Sequence, residues 1–115
     1  MTLHPQPLHL RIAAEPSHLA IARAFIGSSL RALDQSDEFI NDLRLAVSEL
    51  LTVLVVNNKG PVDVMLSIED EDLVTTISGP ASLPLVPTDI VNLVNQLTVD
   101  GLQVEGHWAI RTPLR

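Results

Sequence analysis

Glu49 is the one acidic residue in the run Leu45-Ala-Val-Ser-Glu-Leu-Leu-Thr-Val-Leu-Val-Val-Asn57. A carboxylate set among apolar neighbours is a candidate base, although on a half-exposed helix face a Glu is more often simply solvated. His4, His9, His18 and His107 are spread over tail, strand and helix with no His-x-x-x-His spacing, so no metal site is expected. No Ser–His–Asp set can be singled out, because such triads are defined by geometry rather than by spacing. His18 is a candidate phosphoacceptor by analogy with two-component proteins, and a surface histidine is the simpler account. There is no cysteine, which removes disulfides, thiolate ligands and thiol nucleophiles together.

The elements that must position these residues follow from the spacing of apolar side chains. Leu8, Leu10 and Ile12 alternate with His9, Arg11 and Ala13, as in a half-buried strand. Pro16 suits a first helical turn, and Leu19, Ala22, Phe25, Ile26, Leu30 and Leu33 then recur at helical spacing, predicting a helix over 16–32. Ser36 is a plausible N-cap for a second helix, with Asp37 and Glu38 favouring its positive end. That helix carries Ile40, Leu43, Val47, Leu50, Leu51 and Leu54 inward. It is expected to stop around Asn57 to Gly60, where Asn and Gly suit a left-handed residue.

Beyond Pro61 the period becomes two. Val62, Val64, Leu66 and Ile68 form one strand, Asp70 to Asp72 a charged turn, and Leu73 to Ser78 the returning strand. The segment from Gly79 to Pro87 is a loop rich in breakers, and Thr88 to Leu97 reads as a third helix. Leu102 to Glu105 and His107 to Arg111 form a closing hairpin about Gly106, with Trp108 expected in the core. The order βααββαββ implies an α+β two-layer sandwich. Three helices are expected on one face of a mainly antiparallel (mixed) sheet, with the whole of 1–115 as a single domain.

Bulk properties narrow the function classes. Of 115 residues, 46% are hydrophobic and only 3% aromatic, so an aliphatic core forms and disorder is excluded. The net charge is −7 and no basic stripe is visible, which argues against nucleic acid and anionic membranes as partners. The same field mildly repels a polyanion such as ATP. No export signal is visible and Leu50 to Val56 falls far short of the roughly 20 apolar residues that span a bilayer, so a cytoplasmic protein is expected.

This element order, with Leu43-Arg-Leu-Ala-Val-Ser-Glu-Leu-Leu-Thr52 in the second helix, resembles the serine-kinase anti-sigma factors of the histidine-kinase-like ATPase superfamily, which use the Bergerat fold. The resemblance spans Leu8 to His107 and is most specific from Asp42 to Thr52. It implies a bacterial source and a degenerate, Bergerat-like domain without an ATP lid. In that family a helix Glu four residues before an Asn builds the magnesium and phosphate end of the site. Glu49 matches the Glu, the presumed base on the substrate serine, but Val53 stands at the Asn position and offers no oxygen to magnesium. Asn57 falls where many members carry His.

The family's Asp-x-Gly-x-Gly motif, whose Asp binds the adenine amino group, is replaced by Ser78-Gly-Pro-Ala-Ser82. Ser78 supplants the carboxylate and Gly79 is a displaced glycine. Losing a charge-assisted hydrogen bond costs about 1.5–3 kcal/mol. The family's glycine-rich phosphate loop has no counterpart, since Pro80 to Leu97 contains no glycine and Pro80, Pro84 and Pro87 lack N–H donors. The expected outcome is a kept fold with no intact nucleotide site, and with neither ATP nor magnesium as cofactor.

The resemblance further implies protein partners, namely a sigma factor or an anti-sigma antagonist, and a possible homodimer. Arg23, Phe25, Ile26 and Arg31 on the first helix are the contact candidates. Two rival readings are a divergent ATP-binding serine kinase using Glu49, Asn57 and Asn58, and a degenerate phosphotransfer domain carrying His18. Leu83, Leu85 and Val86 need either a partner or a place in the vacated pocket, and self-filling is the favoured outcome.

Overall fold

In the computed structural model, which describes residues 7–57, 60–79, 83–98 and 100–114, the expected order is present. Strand β1 is Leu8–Ile12, helix α1 Leu19–Ala32, helix α2 Asp37–Val56, and strands β2 and β3 are Val62–Glu69 and Asp72–Ser78. Helix α3 is Thr88–Leu97, and β4 and β5 are Gln103–Val104 and Trp108–Pro113. The first helix is shorter than its spacing predicts. Pro16–His18 forms a separate 3-10 turn, and Leu19 donates its N–H to the Pro16 carbonyl before the α-helix begins.

Ser36 caps α2 as expected: its Oγ accepts the N–H of Phe39 at 3.2 Å. The other end departs from expectation. Asn57 has φ −88° rather than a left-handed conformation, and the helix is closed by its side chain instead. The Nδ2 of Asn57 donates to the Val53 carbonyl at 2.7 Å, a second donor on a carbonyl that already accepts the Asn57 backbone N–H at 3.1 Å.

The five strands run in the order β1-β2-β3-β5-β4. Every ladder among them is antiparallel, so the sheet is less mixed than expected. Register follows the pleat. Leu10, Val64, Ile77 and Trp108 lie opposite one another across four strands, so one row of apolar side chains faces the helices. The β2–β3 hairpin has two residues, Asp70 and Glu71, at φ 51° and 73°. Two successive positive φ values define a type I′ turn, whose twist matches that of the flanking strands.

The core between sheet and helices is aliphatic apart from Trp108, which is 1% exposed. From α2 it takes Ile40, Leu43, Ala46, Val47, Leu50, Leu51, Val53 and Leu54; from α1, Ala22, Ile26 and Leu30. This is a two-layer α+β sandwich with one sheet face buried and the other polar. No helix of the described residues is long and apolar enough to cross a membrane.

Candidate functional site

Thr52 and Asn57, near Glu49 on α2, donate their side chains to carbonyls of their own helix. Thr52 donates its hydroxyl to the Ser48 carbonyl at 2.8 Å. Asn57 gives both its backbone N–H, at 3.1 Å, and its side-chain amide to the Val53 carbonyl. Val53 itself is 5% exposed, its isopropyl group packed in the core. Glu49 is half-buried and makes no hydrogen bond or ion pair among the described residues. Of Glu49, Thr52, Val53 and Asn57, only Glu49 brings a carboxylate, and the Val53 side chain brings no polar atom.

At the exit of β3, Ser78 is the last strand residue, opposite Asp63. A Cβ placed on Gly79 would meet Leu83 Cδ2 at 3.9 Å, so the Leu83 side chain folds back over this glycine. Pro80, Ala81 and Ser82 lie outside the described residues, as does Asn58. Leu83 and Val86 pack against the core, whereas Leu85 is 95% exposed. Beside them is an open cavity of about 280 Å³ lined by Leu83 to Val86, Val91, Leu102, Val104 and Trp108. That lining carries no charged side chain and suits neither a phosphate nor a magnesium ion. No group of three or more His, Asp or Glu side chains among the described residues is placed to hold a metal ion.

The four contact candidates on α1 divide. Ile26 is fully buried and Phe25 half-buried against the core, because both point at α2 and the sheet rather than at solvent. Ile26 is thereby removed as a surface contact. Arg23 and Arg31 are on the outside. Arg23 forks onto one hydroxyl, its Nε and Nη2 donating to Ser48 Oγ at 2.9 and 2.8 Å, which ties α1 to α2. Arg31 lies beside Gly27, and the Cδ of Arg44 on α2 comes within 3.9 Å of where a Cβ on that glycine would sit. Arg44 was not singled out from sequence. Its signal was its helical phase, one turn before Ser48.

Basic residues on the sheet behave differently. Arg11 grips Asp63 at 2.8 and 3.2 Å, and His9 Nε2 lies 2.6 Å from the same carboxylate. The Arg11 hydrogen bond holds the Asp63 carboxyl below its ordinary range, against the opposing effect of burial and with help from His9. Arg111 bridges Asp72 at 2.9 Å and Glu69 at 3.0 Å, and the Asp72 hydrogen bond raises its already high pKa. Arg23, Arg31 and Arg44, by contrast, have no carboxylate partner among the described residues. His18 accepts the Ala13 N–H on Nδ1 at 3.1 Å, which assigns one of its two nitrogens to holding the loop after β1.

No family model matches this sequence, and no curated protein matches it. Among solved structures, the fold is similar to a chain comprising the RsbU and RsbW domains of Rv1364c from Mycobacterium tuberculosis, with a TM-score of 0.74 and 15% sequence identity. The match covers 96% of this chain and 33% of that one, so this chain spans about a third of the neighbour's length. At that identity the likeness defines the class of architecture, a two-layer α+β domain.

Proposed function

We propose that this chain is a non-catalytic, anti-sigma-factor-like regulator that acts by protein–protein contact, its nucleotide site lost. The observation that carries this reading is the burial of Val53, 5% exposed at the position where a second ligand beside Glu49 is required. The neighbouring chain from Mycobacterium tuberculosis carries an RsbW domain, which supports the regulatory class. The partner is a sigma factor or an anti-sigma antagonist, and Arg23 and Arg31 on α1 are the contact residues that remain exposed. In a chain of net charge −7, arginines without carboxylate partners favour an acidic surface on that partner.

The experiment is calorimetric titration of the purified chain with sigma factors and anti-sigma antagonists from the source organism, with and without ATP. The expected result is nucleotide-independent binding to one class. Arg23→Glu should weaken it at least about tenfold, which is 1.4 kcal/mol. Absence of binding to either class contradicts the reading.

A further inference from the structure

The corner between β1 and α1 is tied by a histidine. Strand β1 ends at Ile12, and the chain turns through 13–15 into the 3-10 turn at Pro16–His18. Within the corner, Glu15 donates its N–H to the Ala13 carbonyl at 2.9 Å, and His18 donates its own to the Glu15 carbonyl at 3.0 Å. Pairing with β2 stops at Ile12, opposite Val62, so the ladder offers no acceptor to the N–H of half-buried Ala13. A half-buried backbone donor needs a partner, and this one finds it in a side chain. The Nδ1 of His18 accepts it at 3.1 Å.

A ring nitrogen accepts a hydrogen bond only while it carries no proton. The Ala13 bond therefore requires the neutral imidazole, with its proton on Nε2. That Nε2 lies 3.9 Å from Glu15 Oε2, too far for a hydrogen bond and close enough to attract a cation. A proton on Nδ1 would set two donors against each other, ring N–H against Ala13 N–H, with no acceptor between them. The ring thus has one partner for each charge state, the Ala13 N–H when neutral and the Glu15 carboxylate when charged. Its side chain is 33% exposed and borders an open depression of about 390 Å³, so protons reach it from solvent. Arg11 and Glu15 are the other titratable side chains lining that depression, and the Arg11 guanidinium is committed to Asp63 at 2.8 and 3.2 Å. Gly60 and Pro61, which face it from the segment after α2, bring no charge.

We propose that His18 is a proton-operated latch on the corner between β1 and α1. The neutral ring closes the corner by accepting the Ala13 N–H. The imidazolium releases that N–H, turns toward Glu15 and leaves the segment 13–17 without its side-chain tie. Helix α1 begins at Leu19, directly after the latch, so the proton acts at the root of the helix that carries Arg23 and Arg31. The latch rests on local geometry and stands or falls separately from the identity of any protein partner.

The test is a pH titration of the full chain by NMR between about pH 8 and 5, the span in which histidine side chains change charge. Ring nitrogen shifts report the tautomer and charge of His18. The Ala13 amide reports the bond, through its chemical shift and its hydrogen exchange. The expected result is an Nε2–H tautomer at the alkaline end and a one-proton transition of the Ala13 amide that tracks the His18 ring. Exchange protection of Ala13, corrected for the intrinsic pH dependence, should fall about tenfold at the acid end. His18→Gln, whose amide oxygen can accept the same N–H without titrating, should remove the Ala13 transition and leave those of the other histidines in place. An Nδ1–H tautomer at the alkaline end, an Ala13 amide indifferent to pH, or a transition that persists in His18→Gln would overturn the latch.

Discussion

At the scale of single residues, the account turns on Val53. Its isopropyl group is part of the core, so an amide there would be buried beside aliphatic neighbours without obvious partners. Val53→Asn is therefore expected to lower unfolding free energy by about 1–3 kcal/mol and to create no magnesium-dependent nucleotide binding. Urea denaturation and a nucleotide titration of the same variant check both halves. Asp63 supplies a second prediction. Held by Arg11 below its ordinary value of 3.8, it binds fewer protons in the folded chain than in the unfolded one. It adds stability above that pH, and the contribution disappears as pH falls through the lowered value. Asp63→Asn should accordingly flatten the acid limb of a stability–pH curve relative to the parent, with little change in its slope between pH 6 and about 8. The chemistry open to Val53 was legible at this scale, because residue type alone says that valine cannot ligate. The fork of Arg23 onto Ser48 was not, since only the packing of α1 on α2 brings together residues 25 apart in sequence.

Among elements, periodicity carried most of the information. The third helix begins and ends at the expected Thr88 and Leu97, and the alternation in β2 gives its buried side as Val62, Val64 and Leu66. Boundaries set by backbone angle rather than by hydrophobic pattern were less visible. The 3-10 turn at Pro16–His18 and the side-chain closure of α2 by Asn57 are two such cases. The cap on α2 yields a plain prediction: Ser36→Ala should cost about 1 kcal/mol, read from chemical denaturation. The β2–β3 turn yields one of opposite sign. Glu71 holds φ 73°, a conformation that side chains resist and glycine does not. Glu71→Gly makes an Asp-Gly turn, the preferred type I′ pair, and should raise stability by about 0.5–1 kcal/mol. A fall in the unfolding midpoint would contradict that turn assignment.

For the molecule as a whole, the scaffold was legible in the sequence. Helix-on-sheet architecture follows from where the period of the apolar pattern changes, which a single sequence displays. How the loop before α3 settles does not, because the same residues Leu83, Leu85 and Val86 satisfy either inward packing or exposure. The fold takes Leu83 and Val86 inward and leaves Leu85 out. The segregation of charge is likewise a property of the folded chain, with sheet arginines neutralised and helix arginines left open. Binding of an acidic partner to that helix surface should weaken several-fold between 50 and about 300 mM salt, as screened charge pairs do. The most direct measurement is calorimetric titration of the chain with ATP at millimolar magnesium, alongside a non-hydrolysable analogue. Absence of heat and of any thermal shift at millimolar nucleotide is the predicted result. Magnesium-dependent binding in the micromolar range would contradict the account and make Glu49 part of a working nucleotide site.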